Sequence, residues 1–175
     1  DAYFLNGAPL PGTTLGVTPT NALYRNFGNW KFGNTTLAAS LGDDGFGLGV
    51  AVGDYDEDGF PDVFLNNAGK NALYHNCGDG TFSIATQNAG LDGPDLVGAG
   101  ACFLDVDKDG DLDLYVGNYL AFDVHSHTLR SVDGIPSYPS PKDFSPVADT
   151  LYENSGDGTF EDISSASGVA SQAGS

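Results

Sequence analysis

Two copies of one acidic loop constrain this chain more than any other feature. The first reads Gly53-Asp54-Tyr55-Asp56-Glu57-Asp58-Gly59-Phe60-Pro61-Asp62, and the second Asp105-Val106-Asp107-Lys108-Asp109-Gly110-Asp111-Leu112-Asp113. Asp54, Asp56, Asp58 and Asp62 match Asp105, Asp107, Asp109 and Asp113 in register. Alternating carboxylates, a glycine for a sharp turn and a closing carboxylate supply the roughly six to eight oxygens that Ca²⁺ takes. The plain alternative is an acidic hairpin turn, because Asp-Gly is common there. Two copies with matching carboxylates favour the metal, and two Ca²⁺ sites are expected. The loops are not EF-hands, which need a bidentate Glu at the twelfth position and helices on both sides. Leu65 and Val116 stand at that position here.

The flanks read as strands. Gly49-Val50-Ala51-Val52 and Ala101-Cys102-Phe103-Leu104 enter the loops, and Val63-Phe64-Leu65 and Leu114-Tyr115-Val116 leave them. Such short apolar, β-branched and aromatic runs suit buried strands. A second signature follows. Asn21-Ala22-Leu23-Tyr24-Arg25-Asn26 returns as Asn71-Ala72-Leu73-Tyr74-His75-Asn76 and as Asp149-Thr150-Leu151-Tyr152-Glu153-Asn154. A turn and an aromatic come next in each case, ending in Phe32, Phe82 and Phe160. The loops recur 51 residues apart and the first two Leu-Tyr strands 50 apart. Four strands in a unit of about 40–50 residues is the arithmetic of a β-propeller blade.

The expected fold is therefore all-β. It consists of tandem four-stranded antiparallel propeller-type blades, with a calcium loop between the first and second strands of each. The single repeat domain, 1–175, divides into a partial blade at 1–47 that lacks its inner strand and a complete blade at 48–98. A second complete blade spans 99–166 with an insertion at 120–148, and 167–175 begins a further unit. These are too few blades to close a ring alone. Blades bury their faces on one another. The expected partners are thus other copies of the chain or neighbouring blades of a longer one. Glycans or extracellular proteins are further candidates, through the proline-rich insertion with its Tyr138 and Phe144. Residues 7–20 form a smaller insertion, read as a surface loop without regular structure.

Charge narrows the partners. The formal net charge is −18 over 175 residues, with only six Lys and Arg. Nucleic acid and anionic membranes are poor partners for such a surface. No apolar window is long enough to span a bilayer. No basic start followed by an apolar core opens the chain, so a secreted protein of this sequence is expected to be a mature or excised form. Cys77 and Cys102 are read either as one disulfide, favoured by oxidising surroundings, or as two buried free thiols. Asn34-Thr35-Thr36 is an N-glycosylation sequon.

Asp-x-Asp-x-Asp-Gly-x-x-Asp between strands, followed by Leu-Tyr-x-Asn and Gly-Asp-Gly-Thr-Phe, resembles the FG-GAP or VCBS-type repeat. That repeat builds the calcium-binding propellers of integrin alpha subunits and many bacterial surface proteins. The resemblance covers nearly all the chain, and it implies Ca²⁺ and an extracellular or cell-surface setting. It also implies that the eight matched aspartates are ligands, with Phe60 and Asp111 offering backbone carbonyls. The family's rings have more blades than this chain.

Little in the sequence suggests catalysis, and no enzyme is expected. No Gly-x-Ser-x-Gly elbow and no phosphate-binding loop before a helix occur. A glycosidase-like carboxylate pair is disfavoured because the loops use the carboxylates. His125 and His127, with Asp123, read as exposed loop residues ahead of a metal site. His75 reads as solvent-facing, since the other copies carry Arg25 and Glu153. Trp30 is expected to pack within its turn. The expected function is an extracellular, calcium-stabilised structural repeat acting by self-assembly or adhesion. The alternative is a piece of a larger propeller that binds glycan or protein through 120–148.

Overall fold

A computed structural model describes residues 1–8, 15–121, 130–132, 134–137, 140 and 143–171. Its first three strands are β1 (Ala2–Phe4), β2 (Ala22–Asn26) and β3 (Phe32–Asn34), which form one antiparallel sheet in that order. A short helix, α1 (Thr36–Ala39), follows. The second blade is β4 (Phe46–Gly53), β5 (Asp62–Gly69), β6 (Ala72–Asn76) and β7 (Phe82–Ile84). The third is β8 (Leu96–Leu104), β9 (Asp113–Leu120), β12 (Thr150–Asn154) and β13 (Phe160–Asp162). Between β9 and β12 a small hairpin, β10 (Arg130–Val132) with β11 (Ile135–Ser137), rises from the insertion. A second short helix, α2 (Ser164–Ser167), ends the blade.

The all-β expectation holds, with three strands and then two sets of four. The inner strands run longer than the apolar runs suggested. β5 and β8 continue far enough to pair with each other, Ala68 opposite Val97 and Gly69 opposite Leu96. This pairing joins the second and third blades into one curled eight-stranded sheet.

Side-chain alternation decides which blade faces which. Phe64 and Leu73 of the second blade meet Leu114, Val116 and Phe160 of the third, together with Ala51 and Tyr55. On the other face of the second blade, Val63, Leu65, Ala72 and Tyr74 meet Tyr3, Leu5 and Leu23 of the first. The inner strands explain their own glycines. A Cβ at Gly49 would lie 2.8 Å from Gly100 Cα, so β4 and β8 touch backbone to backbone. The buried Asn66 sits at the same seam. Its Nδ2–H groups donate to Gly100 O (2.8 Å) and Gly117 O (2.9 Å), crossing from one blade to the next.

Two polar devices recur in every blade. The Leu N–H of each Leu-Tyr strand donates to a hydroxyl: Leu23 to Thr36 Oγ1, Leu73 to Thr86 Oγ1 and Leu151 to Ser164 Oγ. An asparagine clamp closes each link between the second and third strands. Asn6, Asn67 and Asn118 donate backbone N–H to the side chains of Asn21, Asn71 and Asp149 at 2.7, 2.9 and 2.7 Å. Their Nδ2–H groups donate to the carbonyls of Thr20, Lys70 and Ala148. The link is two residues in the second blade, Lys70 and Asn71, yet much longer in the other two. The clamp therefore pins the base of each insertion, so its length does not disturb the blade.

Two expectations are corrected. Cys77 and Cys102 are neither bonded nor buried; both are free and exposed. Cys77 follows β6 near the outer edge of one blade, while Cys102 lies on the inner strand β8 of the next. Trp30 does not pack in its turn. Left-handed backbone at Asn29 (φ 50°) and Trp30 (φ 60°) turns the indole outward, where it is 92 % exposed. The insertion 120–148 contains the β10–β11 hairpin.

The Gly49–Gly100 approach is testable. Gly49→Ala should lower stability by about 1–3 kcal/mol through overpacking, whereas at Gly100 an added Cβ meets nothing within 4 Å. Thermal melts should show a marked drop in Tm for the first variant and little change for Gly100→Ala. Equal effects would contradict the close approach of β4 and β8.

Candidate metal centre

Each acidic loop is a hairpin connection between an inner strand and its neighbour, with Gly53 paired to Asp62 and Leu104 to Asp113 at the neck. Positive φ at Glu57 (57°) and Gly59 (91°) makes the sharp turn, and Lys108 (69°) with Gly110 (108°) repeats it. The carboxylates cap the turn from within. In the first loop Asp58 N–H and Gly59 N–H donate to Asp54 (3.1 and 2.9 Å), and Phe60 N–H donates to Asp58 (2.8 Å). In the second, Lys108 N–H donates to Asp105 (2.7 Å) and Asp111 N–H to Asp109 (2.9 Å). The Phe60 ring lies over Gly78, and the Asp111 carboxylate over Gly156, where a Cβ would sit at 2.6 and 2.7 Å. Each loop thus rests on the Gly-Asp-Gly turn of its own blade.

The closing carboxylates are the buried ones. Asp62 is 0 % exposed and Asp113 is 1 % exposed. Both are held the same way. Asp62 accepts from Tyr55 N–H (3.2 Å) and Asn76 N–H (2.7 Å). Asp113 accepts from Val106 N–H (2.8 Å) and Asn154 N–H (2.9 Å). Asp1 accepts from Asn26 N–H (2.8 Å) at the matching position of the first blade.

The donor sets fit a hard cation. Asp54, Asp56 and Asp58 converge, as do Asp105, Asp107 and Asp113, each set with ligand atoms within 4.8 Å of one another. Asp56 Oδ1 is buried without a hydrogen-bond partner, so it has capacity that the fold leaves unused. An ion with oxygen-rich coordination would take these groups and neutralise their mutual repulsion. Like charges about 4 Å apart repel by roughly 4 kcal/mol at an effective dielectric of 20.

The structure adds one residue that the sequence reading set aside. His75 is not solvent-facing; its side chain is 28 % exposed. Its Nδ1 lies 3.1 Å from Asp56 Oδ2 and 3.4 Å from Asp62 Oδ1. The antiparallel register that pairs Val63 with Tyr74 brings His75 opposite Asp62. Asn34 is exposed at the end of β3, where its side-chain oxygen accepts from Thr36 N–H (3.0 Å). His125, His127, Asp123 and Tyr138 lie outside the described residues.

Burial pushes the Asp62 carboxyl from 3.8 up to about 6, against the pull of its Asn76 and Tyr55 N–H donors. The calcium-free fold therefore binds this proton more tightly than the unfolded chain does. That stabilising effect is present below about pH 4 and is lost as pH rises through about 6. Ca²⁺ needs the deprotonated form, so its contribution has the opposite dependence. Calorimetry should thus show a calcium-induced rise in Tm that shrinks between pH 7 and pH 5, with the calcium-free protein itself melting higher at pH 5. Asp56→Asn removes a charge without breaking any hydrogen bond seen here. It should leave the calcium-free Tm unchanged or higher, yet abolish the calcium response of the first loop.

Residues 54–116, which contain both loops, match the FG-GAP-like repeat. Cartilage acidic protein 1 of Homo sapiens is 33 % identical over 116 residues, which is 62 % of this chain and 18 % of that protein. The Mus musculus protein of the same name is 31 % identical over 116 residues with the same shares. That of Xenopus tropicalis is 35 % identical over 88 residues, 49 % of this chain and 14 % of the relative. The chain spans less than a fifth of the length of these curated relatives. The stretch from the first acidic loop to the strand beyond the second is thus similar in sequence to the FG-GAP-like repeat and lies in propeller-type blades.

Proposed function

We propose that this chain is an extracellular, calcium-stabilised structural segment that works by stacking its blades against further blades of the same kind. The observation that carries this reading is an uncovered face. Ala2, Phe4, Ala22, Tyr24 and Phe32 line one open side of the first blade. They stand at the repeat positions of Val63, Leu65, Ala72, Tyr74 and Phe82 in the second blade. Those five pack against the first blade. The repeat itself therefore says what kind of surface the open face fits. Phe4 and Tyr24 are already set edge to face, with ring centroids 5.7 Å apart.

The complementary surface lies at the other end. Ala51 and Phe64, which the second blade turns toward the third, correspond to Cys102 and Tyr115 on the outer side of the third. Contact between two such unlike faces is head-to-tail, which yields rings or open filaments according to whether the rotation closes. The extracellular setting rests on two supports. The relatives' name couples cartilage with acidity, and this chain carries −18. Extracellular calcium is also high enough to fill even modest sites. Every matched loop aspartate but Asp56 accepts a backbone N–H, which favours a structural role over a catalytic one.

Light scattering on the isolated chain in millimolar calcium tests the reading. Particles well above 18.1 kDa, reduced to single chains by Phe4→Asp or by chelation, are expected. A single-chain mass in calcium would contradict self-assembly.

A further inference from the structure

The two loops carry the same aspartates but not the same donors. Opposite the closing carboxylate the first acidic loop has an imidazole, His75, where the second has a carboxylate, Glu153. In the first loop Asp56, Asp62 and His75 offer one ligand atom each, all within 4.8 Å of one another. This set shares Asp56 with the all-oxygen set of Asp54 and Asp58 but is distinct from it. The matching group in the second loop, Asp105, Asp107 and Asp113, contains no nitrogen.

Two polar atoms of these residues are left over from the fold. His75 Nδ1 and Asp56 Oδ1 are both shielded from solvent, and neither makes a hydrogen bond. His75 Nδ1 lies 3.1 Å from Asp56 Oδ2 without hydrogen-bond geometry. The separations of 3.1 and 3.4 Å match donors sharing one small ion, which stand roughly 3–4 Å apart when each is about 2.0–2.2 Å from the metal. The surroundings fix the donors. Asp62 is oriented by two backbone N–H groups, and the Tyr55 ring packs edge-on against the imidazole at 6.5 Å. With Nδ1 as ligand the ring proton resides on Nε2, facing Asp58 Oδ2 at 3.9 Å.

We infer that the first loop is a mixed nitrogen–oxygen site that takes a zinc-class divalent transition ion through His75, Asp56 and Asp62, while the second loop takes only hard, oxygen-preferring cations. Imidazole selects zinc, copper, iron or nickel over calcium, whereas carboxylate-only sets favour calcium, magnesium or manganese. The inference rests on the loops being metal sites. It goes further in separating the two copies by ion chemistry.

Calorimetric titration of the chelator-stripped, desalted full chain with Zn²⁺, and separately with Ca²⁺, tests it. One Zn²⁺ per chain is expected from the loops. His75→Gln should weaken that binding at least about 100-fold, because even outer partners of a ligand are worth about 10–100-fold. The calcium response of the second loop should be unchanged. Arg and Glu occupy this position in the other blades, so His75→Gln should fold. The double variant His125→Gln/His127→Gln should keep the same zinc site. Glu153→His should create a second zinc equivalent in the third blade. Zinc binding that survives His75→Gln, or that is lost only in the His125/His127 variant, would overturn the inference, as would no zinc binding at all. Normal calcium binding alongside absent zinc would sink this inference alone, whereas failure to bind calcium would sink the calcium-loop reading itself.

Discussion

A carboxylate held out of water at the start of a strand is the constraint on which the rest of the structure turns. Asp62 and Asp113 begin β5 and β9, and each gathers one N–H from its own loop and one from the neighbouring Leu-Tyr strand. Two strands of a blade and the loop before them therefore meet on one side chain. Burying an unpaired charge is costly, and here several further aspartates crowd the same loop. An ion bound at the loop would turn that repulsion into attraction, so the blade's local order and its electrostatic balance become one problem.

The loop also reaches beyond its own blade. Tyr55 sits in the core between the second and third blades, its ring 5.7 Å from Phe160. Asn154 ties the two blades together by donating to Tyr55 O (2.7 Å) and to Leu112 O (3.1 Å). The asparagine that holds Asp113 thus also holds the first loop. Ordering one loop supports the blade interface, and that interface supports the second loop. Asn66 adds a similar bridge at the inner seam. Stacking of blades is consequently not apolar burial alone; it includes buried polar bonds whose partners lie in different repeats.

Much of this could be read from the sequence because the chain repeats itself. Recurrence fixed which runs are strands, where loops lie and which face each residue takes, since a two-residue period leaves no freedom once register is known. What escaped depended on contacts across strands. Arg25, His75 and Glu153 vary at one position, and variation was equated with exposure. The register places all three opposite an aspartate, where different side chains can satisfy the same neighbour in different ways. Trp30 escaped because two successive left-handed residues reverse its direction. The asparagine clamps were present in the sequence as Asn6, Asn67 and Asn118. Their partners are set by hairpin geometry, and in two blades a long insertion separates clamp from partner.

The central claim is that each acidic loop and the strands around its buried aspartate form one ordered unit. Hydrogen exchange at the backbone amides of Tyr55, Asn76, Val106 and Asn154, with and without calcium, tests it most directly. These amides donate to Asp62 and Asp113. The account predicts that calcium slows their exchange together, along with that of β6 and β12. Calcium protection confined to the loop amides, with Asn76 and Asn154 unaffected, would contradict it.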